Sequence, residues 1–312
     1  MTRVAAIDCG TNSIRLLIAD PAPDGGLVEI DRRLEMVRLG QGVDATGGFH
    51  PDALDRTFAA VDAYATLIRD ADARSVRFVA TSAARDARNR DQFTAGIERR
   101  LGVVPEVISG DEEARLSFLG VTAGVPAATR PVLAMDIGGG STELILGAAS
   151  GVDVVAAVSL DIGSVRLTER FGPARDGAGD PPEPSAVAAA EAYVDAQLDA
   201  CGIDLSGVAT WVGVAGTVTS VAAISQELPH YDRDRVHGFA IGVAELRRVA
   251  HYLRSVPLAD LRAIPSLHPQ RADVIAFGAL IAERVSYRLD VAELVVSESD
   301  ILDGIALGLL EP

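Results

Sequence analysis

The apolar positions of the chain follow two spacings in turn. Val4 to Ile7, Arg15 to Ala19, Val76 to Ala80, Val104 to Ile108, Val132 to Met135, Val154 to Leu160, Thr210 to Val214 and Leu294 to Ser297 are apolar-rich runs too short for stable helices. Each predicts a strand, and most end in Gly, Ser, Thr or Asp. Leu27 to Leu39 predicts a further strand, reached through a hairpin loop at Pro21 to Gly26. Between the strands the spacing turns helical. Pro51 opens a helix whose Leu54, Phe58, Val61, Ala65 and Ile68 form one apolar stripe. Helices are also expected from Thr81 on through Gln92 to Leu101, after Ser109 through Leu116, Phe118 and Leu119, after Asp161 up to Gly172, and from Ser185 as cap to Gly202. The last third reads as helical, with Val243 to Leu253 amphipathic and Leu267 to Val285 interrupted near Pro269, until the final strand and a short helix from Ser299 to Gly304. Strand and helix alternate throughout, which predicts α/β architecture.

One stretch repeats. Asp136-Ile137-Gly138-Gly139-Gly140-Ser141-Thr142-Glu143-Leu144 follows a short apolar run, and so does Asp8-Cys9-Gly10-Thr11-Asn12-Ser13-Ile14-Arg15-Leu16. Both place Gly two, Ser five and Leu eight positions after the Asp. The simplest reading is a duplicated unit of strand, tight turn and strand, one copy per lobe. Glycines in such a turn can aim successive backbone N–H groups into one concavity, which suits phosphate. Ser141 adds a hydroxyl, and Asp136 and Glu143 add hard oxygens for a divalent cation. Two turns facing each other would hold one phosphate chain from both sides. A third strand-to-helix turn, Ala215-Gly216-Thr217-Val218-Thr219-Ser220, has the small and hydroxyl residues of a phosphate site, a composition that close helix packing also produces.

The 312 residues allow two domains, each with its own core. The boundaries read as 1–125 and 126–298, with the terminal helix at about 299–312 packing back on the first. The linker is Pro126 to Pro131, and Gly172 to Pro184 is a surface loop without assigned function. A net charge of −16 argues against a nucleic-acid partner, which wants a basic face. No apolar run reaches membrane-spanning length, so no membrane partner is expected and the location is expected to be cytoplasmic. Two cysteines exclude a disulfide framework or a thiolate metal site, and Cys9 reads as a small filler. All 28 basic residues are arginine, so arginine must clamp any phosphate. Arg85, Arg88 and Arg90 crowd a strand end, where side chains project into open-sheet clefts, although a solvated helix start carries the same charges. Asp111, Glu112 and Glu113 open a helix, where the dipole alone favours acids. The Arg38 to Val43 turn reads as a loop that could border the cleft.

Taken together these motifs resemble the exopolyphosphatase and guanosine pentaphosphate phosphohydrolase family, a branch of the actin, hexokinase and heat-shock chaperone superfold. The resemblance rests on the repeat, on Thr81-Ser82-Ala83 with Arg85-Asp86-Ala87 and Asn89, and on Ser109-Gly110 with Glu112-Glu113-Ala114. Gly213 to Thr217, Pro265-Ser266-Leu267, Arg271 to Ile275 and Ser297 to Gly304 support it. It implies an α/β fold of two actin-like, ribonuclease H-like lobes with a phosphate-binding cleft between them. It implies Glu113 as catalytic base and Arg85 as the residue gripping the phosphate chain. Asn12, Ser13, Gly138, Gly139, Gly140 and Ser141 are implied to bind phosphoryl oxygens, with Gly216 and Thr217 beside them. Asp136, Glu143 and Asp8 are implied to hold Mg²⁺, or Mn²⁺ in its place. Two departures stand out: the chain lacks the helical C-terminal region of longer members, which favours short polyphosphates, and Ser299 to Asp303 replaces a Gly-Leu-Arg of many relatives. The expected substrate is inorganic polyphosphate, with guanosine penta- or tetraphosphate as the alternative, and a homodimer is the expected assembly. An ATP-dependent kinase of the same superfold and a non-catalytic polyphosphate or alarmone sensor remain as other classes.

Overall fold

A computed structural model gives the fold and describes residues 3–11, 13–23, 25–41, 43–125, 129–148, 153–173 and 180–310. Asn12, Gly42, residues 126–128 of the expected linker and residues 174–179 of the expected surface loop therefore lie outside the described residues. The chain divides into two compact units, Met1–Ala123 with Ser299–Pro312, and Gly124–Glu298.

The first unit runs β1 (Val4–Cys9), β2 (Ile14–Pro21), β3 (Leu27–Glu35), α1 (Val43–Thr46), α2 (Pro51–Asp70), β4 (Ser75–Ala80), α3 (Ser82–Asp86), α4 (Arg90–Leu101), β5 (Glu106–Val107) and α5 (Gly110–Gly124, whose last residue belongs to the second unit). Its sheet has the order β3-β2-β1-β4-β5, with β1 antiparallel to β2 and parallel to β4. The two-residue period of β1 splits the core. Ala5, Ile7 and Cys9 face one hydrophobic cluster with α2 residues Leu54, Val61, Tyr64 and Ile68, while Val4 and Ala6 face another with Leu116 and Ile305. A strand buried on both faces must be apolar throughout, which is why Val4 to Ile7 shows no alternation. Asp8 shares the parity of Val4 and Ala6, and so points to the second cluster.

The second unit continues with β6 (Val132–Ile137), β7 (Thr142–Gly147), β8 (Val154–Leu160), α6 (Ser164–Phe171), α7 (Pro184–Asp199), β9 (Thr210–Val214), α8 (Ala215–Ser225), α9 (Arg233–Val236), β10 (Ala240–Gly242), α10 (Val243–Ser255), α11 (Leu258–Arg262), a single 3₁₀ turn at Pro269–Arg271, α12 (Ile275–Ser286) and β11 (Glu293–Val296). The order β10-β11-β9-β6-β7-β8 repeats the first sheet, since β6 is again antiparallel to the next strand and parallel to β9. Each unit is thus ribonuclease H-like, and the duplication inferred from two short motifs extends through the strand order. The final helix, α13 (Ile301–Gly308), returns to the first unit. Its start is fixed by a reciprocal cap, in which Asp300 accepts from the Leu302 amide at 2.9 Å and Asp303 accepts from the Asp300 amide at 2.8 Å. α13 crosses α5 so closely that the two backbones touch. A Cβ on Gly120 would lie 2.7 Å from the Asp300 carbonyl carbon, and one on Gly304 would lie 2.8 Å from that of Leu116.

Several boundaries differ from expectation for local reasons. β3 stops at Glu35 because Val37 and Leu39 turn inward and are buried. β5 keeps only two residues, since Pro105 lacks an N–H for the ladder. The helix expected from Thr81 onward breaks at Ala87, which is extended at ψ 124. There the chain is drawn aside: Arg88 donates to the Gly47 and Thr46 carbonyls at 2.9 Å each. Asn89 accepts from the Phe49 amide at 2.8 Å and donates to its carbonyl at 3.2 Å. Ser185 is not a cap, because α7 starts at Pro184 with Glu183 before it. β10, inside a stretch expected to be helical, pairs with β11. None of the helices formed by described residues is long and apolar enough to cross a membrane.

Candidate phosphate site

The two hairpin tips share one hydrogen-bond pattern. Gly10 N–H donates to the Ser13 carbonyl at 2.9 Å, and Gly138 N–H donates to that of Ser141 at 3.0 Å. In each unit a later segment folds over the tip. In the first it is the Arg38 to Val43 turn, where Gly40 N–H donates to Thr11 O at 2.8 Å. In the second it is the N-terminus of α6. Ser164 N–H and Oγ–H donate to Gly138 O at 2.9 and 3.2 Å, and Val165 and Arg166 N–H donate to Gly139 O at 2.9 and 3.0 Å. Arg166 Nε–H donates to Gly140 O at 2.7 Å.

That arrangement fixes the direction of the amides. In a trans peptide the C=O and the following N–H point opposite ways. With the carbonyls of Gly138, Gly139 and Gly140 turned to α6, the amides of Gly139, Gly140 and Ser141 face away from it. Three consecutive N–H groups on one side of a turn form an anion-binding nest. Gly163 makes the approach of α6 feasible, since a Cβ there would sit 2.5 Å from the Gly139 carbonyl carbon and 2.6 Å from that of Gly140.

Beside the nest, Asp136 and Glu143 lie directly opposite each other in the β6–β7 ladder. Both are half-buried, and Glu143 Oε1 accepts from Ser141 Oγ and Ser159 Oγ at 2.7 Å each. Two adjacent carboxylates, one of them held by two hydroxyls, fit a hard divalent cation, and Mg²⁺ commonly binds through one or two carboxylates while keeping waters. Among the described residues no group of three His, Cys, Asp or Glu side chains is arranged to hold a metal.

Asp8, the counterpart of Asp136 and expected beside it at the metal, has a different neighbour. Its ladder partner is Arg15 where Glu143 stands in the second unit. Arg15 donates to Asp8 Oδ2 from Nη2 at 2.6 Å and from Nε at 3.1 Å, and its Nη1 reaches Asp300. Burial raises the Asp8 pKa, and the Arg15 charge opposes that rise. An arginine already supplies the positive charge at this carboxylate. Ser13 stands at the tip, and its role in the structure is the turn-closing carbonyl.

Arg85, from α3, and Glu113, from the first turn of α5, meet within the first unit. Arg85 Nη1 lies 2.9 Å from Glu113 Oε2 and also donates to the Ile108 carbonyl at 2.9 Å. The side chains are 31% and 33% exposed, so solvent reaches both. The Nε and Nη2 edge of Arg85 has no partner among the described residues. The neighbouring Glu112 is different: it pairs with Arg115 at 2.8 Å and with Arg77 at 3.6 Å, which hold its pKa below the ordinary range. Of the two consecutive glutamates, one is a structural ion pair and the other is half-open beside an arginine.

The third turn joins the second hairpin. Ala215, Gly216 and Thr217 line a cavity of about 200 Å³ together with Gly138, Gly139, Ser164 and Arg271. Ala215 has φ +65, a left-handed conformation that a residue with a Cβ adopts at a cost of roughly 1 kcal/mol. Arg271 Nη1 donates to Gly216 O at 3.2 Å. Sequence reasoning named the glycines and Thr217 but not Ser164 or Arg271 as site residues, although both lie in stretches it had marked. Cys9 is buried, which raises its thiol pKa well above the ordinary value, as befits a filler.

The chain is similar to known proteins along nearly its whole length. Residues 18–311 match the Ppx/GppA phosphatase family. The chain is 45% identical to exopolyphosphatase 2 of Mycobacterium tuberculosis, with 99% of each sequence covered. Among solved structures it is similar to an exopolyphosphatase-like protein, at 40% identity and a TM-score of 0.83 over 98% of this chain and 97% of that one. It is also similar to the type II form of the Aquifex aeolicus Ppx/GppA phosphatase, at 30% identity and a TM-score of 0.88 over the whole of both chains.

Proposed function

Since the chain belongs to the Ppx/GppA phosphatase family, we propose that it is an exopolyphosphatase, releasing orthophosphate from the end of inorganic polyphosphate by attack of water. The observation that carries the reading is the second hairpin tip, where three amides face one way beside Asp136 and Glu143. An array of fixed N–H donors is suited to phosphoryl oxygens whose charge spreads in the transition state. Full-length similarity to exopolyphosphatase 2 of M. tuberculosis supports polyphosphate as the substrate.

The chain's own residues divide the work as follows. The amides of Gly139, Gly140 and Ser141 bind terminal phosphoryl oxygens, and Thr217 and Arg271 line the cavity that Gly138 and Gly139 border. Glu113, open to solvent, orients a water and takes its proton, with Arg85 Nη1 fixing the carboxylate and the remaining guanidinium edge gripping phosphate. Asp136 and Glu143 would hold Mg²⁺, which when bound neutralises anhydride oxygens. Short chains are the preferred substrate. The protein works in the cytoplasm.

The test is phosphate release from a short polyphosphate by purified protein with Mg²⁺, alongside guanosine pentaphosphate as a competing substrate. Glu113→Gln is expected to lower kcat by a factor of roughly 10² to 10⁴ while polyphosphate still binds. Faster release from guanosine pentaphosphate, or an unchanged rate in Glu113→Gln, would overturn the assignment.

A further inference from the structure

A cavity of about 570 Å³ in the first unit takes no part in the proposed reaction. It lies between α2 and α4, which run parallel: Asn89 before α4 is bonded to Phe49 before α2, and further along Arg100 pairs with Asp62 at 3.2 Å. Small-molecule pockets ordinarily span about 300 to 1,000 Å³, so the size suits a metabolite. The floor is apolar, made by Phe49, Leu54, Phe58 and Ala95. Phe58 is fixed from behind, because its ring lies against Gly96, where a Cβ would run into it, and Arg100 stacks on it at 4.4 Å.

The rim is charged. Asp55, Asp91 and Arg99 line the cavity, and none of their side chains has a hydrogen-bonding or ionic partner among the described residues. Other arginines of the same two helices are engaged: Arg56 donates to Val37 O and Gln41 Oε1 at 2.8 Å each, and Arg100 donates to Gly96 O at 3.0 Å. Helix dipoles account for an acid early in α4 and a base late in it. They do not account for Asp55 in the second turn of α2, nor for three uncommitted charges meeting over one apolar floor. Asp91 and Arg99 stand two turns apart on α4, about 12 Å along its axis, and the arginine slants back towards the helix start. The acidic and basic ends of the rim are thus separated by roughly the length of a small dipolar molecule.

The rim sums to one negative charge, so a ligand with two cationic groups and one anionic group leaves the filled cavity neutral. We propose that this cavity binds an α-amino acid with a basic side chain. Its carboxylate meets the planar guanidinium of Arg99, which suits paired N–H···O bonds. Its two cationic groups meet Asp55 and Asp91, and its methylene stem lies on Leu54 and Phe58.

Isothermal titration calorimetry of the full chain with lysine tests this. Saturable binding of one lysine per chain is expected. Norleucine, without the side-chain ammonium, and cadaverine, without the carboxylate, should each bind about three- to tenfold more weakly, the worth of one solvent-accessible charged hydrogen bond. Arg99→Gln should weaken lysine by the same factor and leave cadaverine unweakened, whereas Asp55→Asn and Asp91→Asn should weaken both. Ala95→Trp fills the floor and should abolish binding in a chain that circular dichroism shows to be folded. An absence of lysine binding, cadaverine binding as tightly as lysine, or lysine binding indifferent to Arg99→Gln would each overturn the assignment.

Discussion

Gly163→Ala isolates the claim that α6 shapes the second hairpin tip. The added methyl meets only backbone, 2.5 Å from the Gly139 carbonyl carbon and 2.6 Å from that of Gly140, so no side chain can swing away. Ordinary carbon contacts need roughly 3.5 Å or more, and the N-terminus of α6 must retreat by about 1 Å. The retreat strains the bonds from Ser164, Val165 and Arg166 to Gly138, Gly139 and Gly140, which now span 2.7 to 3.2 Å. Overpacking in a close-fitted region costs about 1 to 3 kcal/mol, and each weakened hydrogen bond adds a fraction of about 1 kcal/mol. A loss of about 3 kcal/mol should lower the thermal midpoint of the second unit by roughly 6 to 12 °C, read by calorimetry. Activity should fall further, because the amides lose their common direction: phosphate release, measured well below the midpoint, is expected to drop at least about tenfold. Gly40→Ala is the matched control, since its methyl meets the Thr11 Cγ2, which can rotate, and should be milder on both counts. A Gly163→Ala protein with wild-type midpoint and wild-type rate would refute the reasoning.

Other expectations are simpler to check. Gly120→Ala puts a methyl 2.7 Å from the Asp300 carbonyl carbon and closer still to its oxygen, and should separate α5 from α13 at a cost of about 1 to 3 kcal/mol by denaturant titration. Glu112→Gln should leave phosphate release unchanged, in contrast to Glu113→Gln. Because Arg115 and Arg77 depress the Glu112 pKa in the folded state, its ion pair stabilises at neutral pH. That contribution is lost as pH falls below the ordinary glutamate range, so wild type and variant should converge in acid unfolding. Native protein should react with one equivalent of a thiol reagent, at Cys201, and a second only on unfolding, since Cys9 is buried. Asp136→Asn should weaken Mn²⁺ binding, followed by electron paramagnetic resonance, while Asp8→Asn should leave it in place and lower stability instead.

The strands and the duplicated hairpin were legible because central strands buried on both faces leave unbroken apolar runs, and because the repeated Asp-x-Gly-x-x-Ser spacing marked equivalent turns. What escaped was long-range. Nothing local in Asp8 or Asp136 distinguishes them; the difference lies seven residues later, in Arg15 against Glu143, and becomes readable only when the ladder sets each opposite its aspartate. Likewise Asn89 carries a motif position yet spends its side chain on Phe49, forty residues upstream. Ser164 and Gly163 were visible as a turn, but their bonds to the glycine tip depend on a helix packed from twenty-five residues away. Boundary errors at Glu35, Pro105 and Ser185 came from burial or proline chemistry overriding propensity.

The return of α13 to the first unit has a consequence for synthesis. The stretch that covers one face of the sheet of β1 and β2, and that seats α5 with its Glu113, leaves the ribosome only after the whole second unit has been made. The first unit must wait, with Leu17, Val79 and Leu116 uncovered, until residues 301–306 have emerged. A nascent chain stalled before Ile301 should therefore be bound by chaperones at its beginning rather than its end.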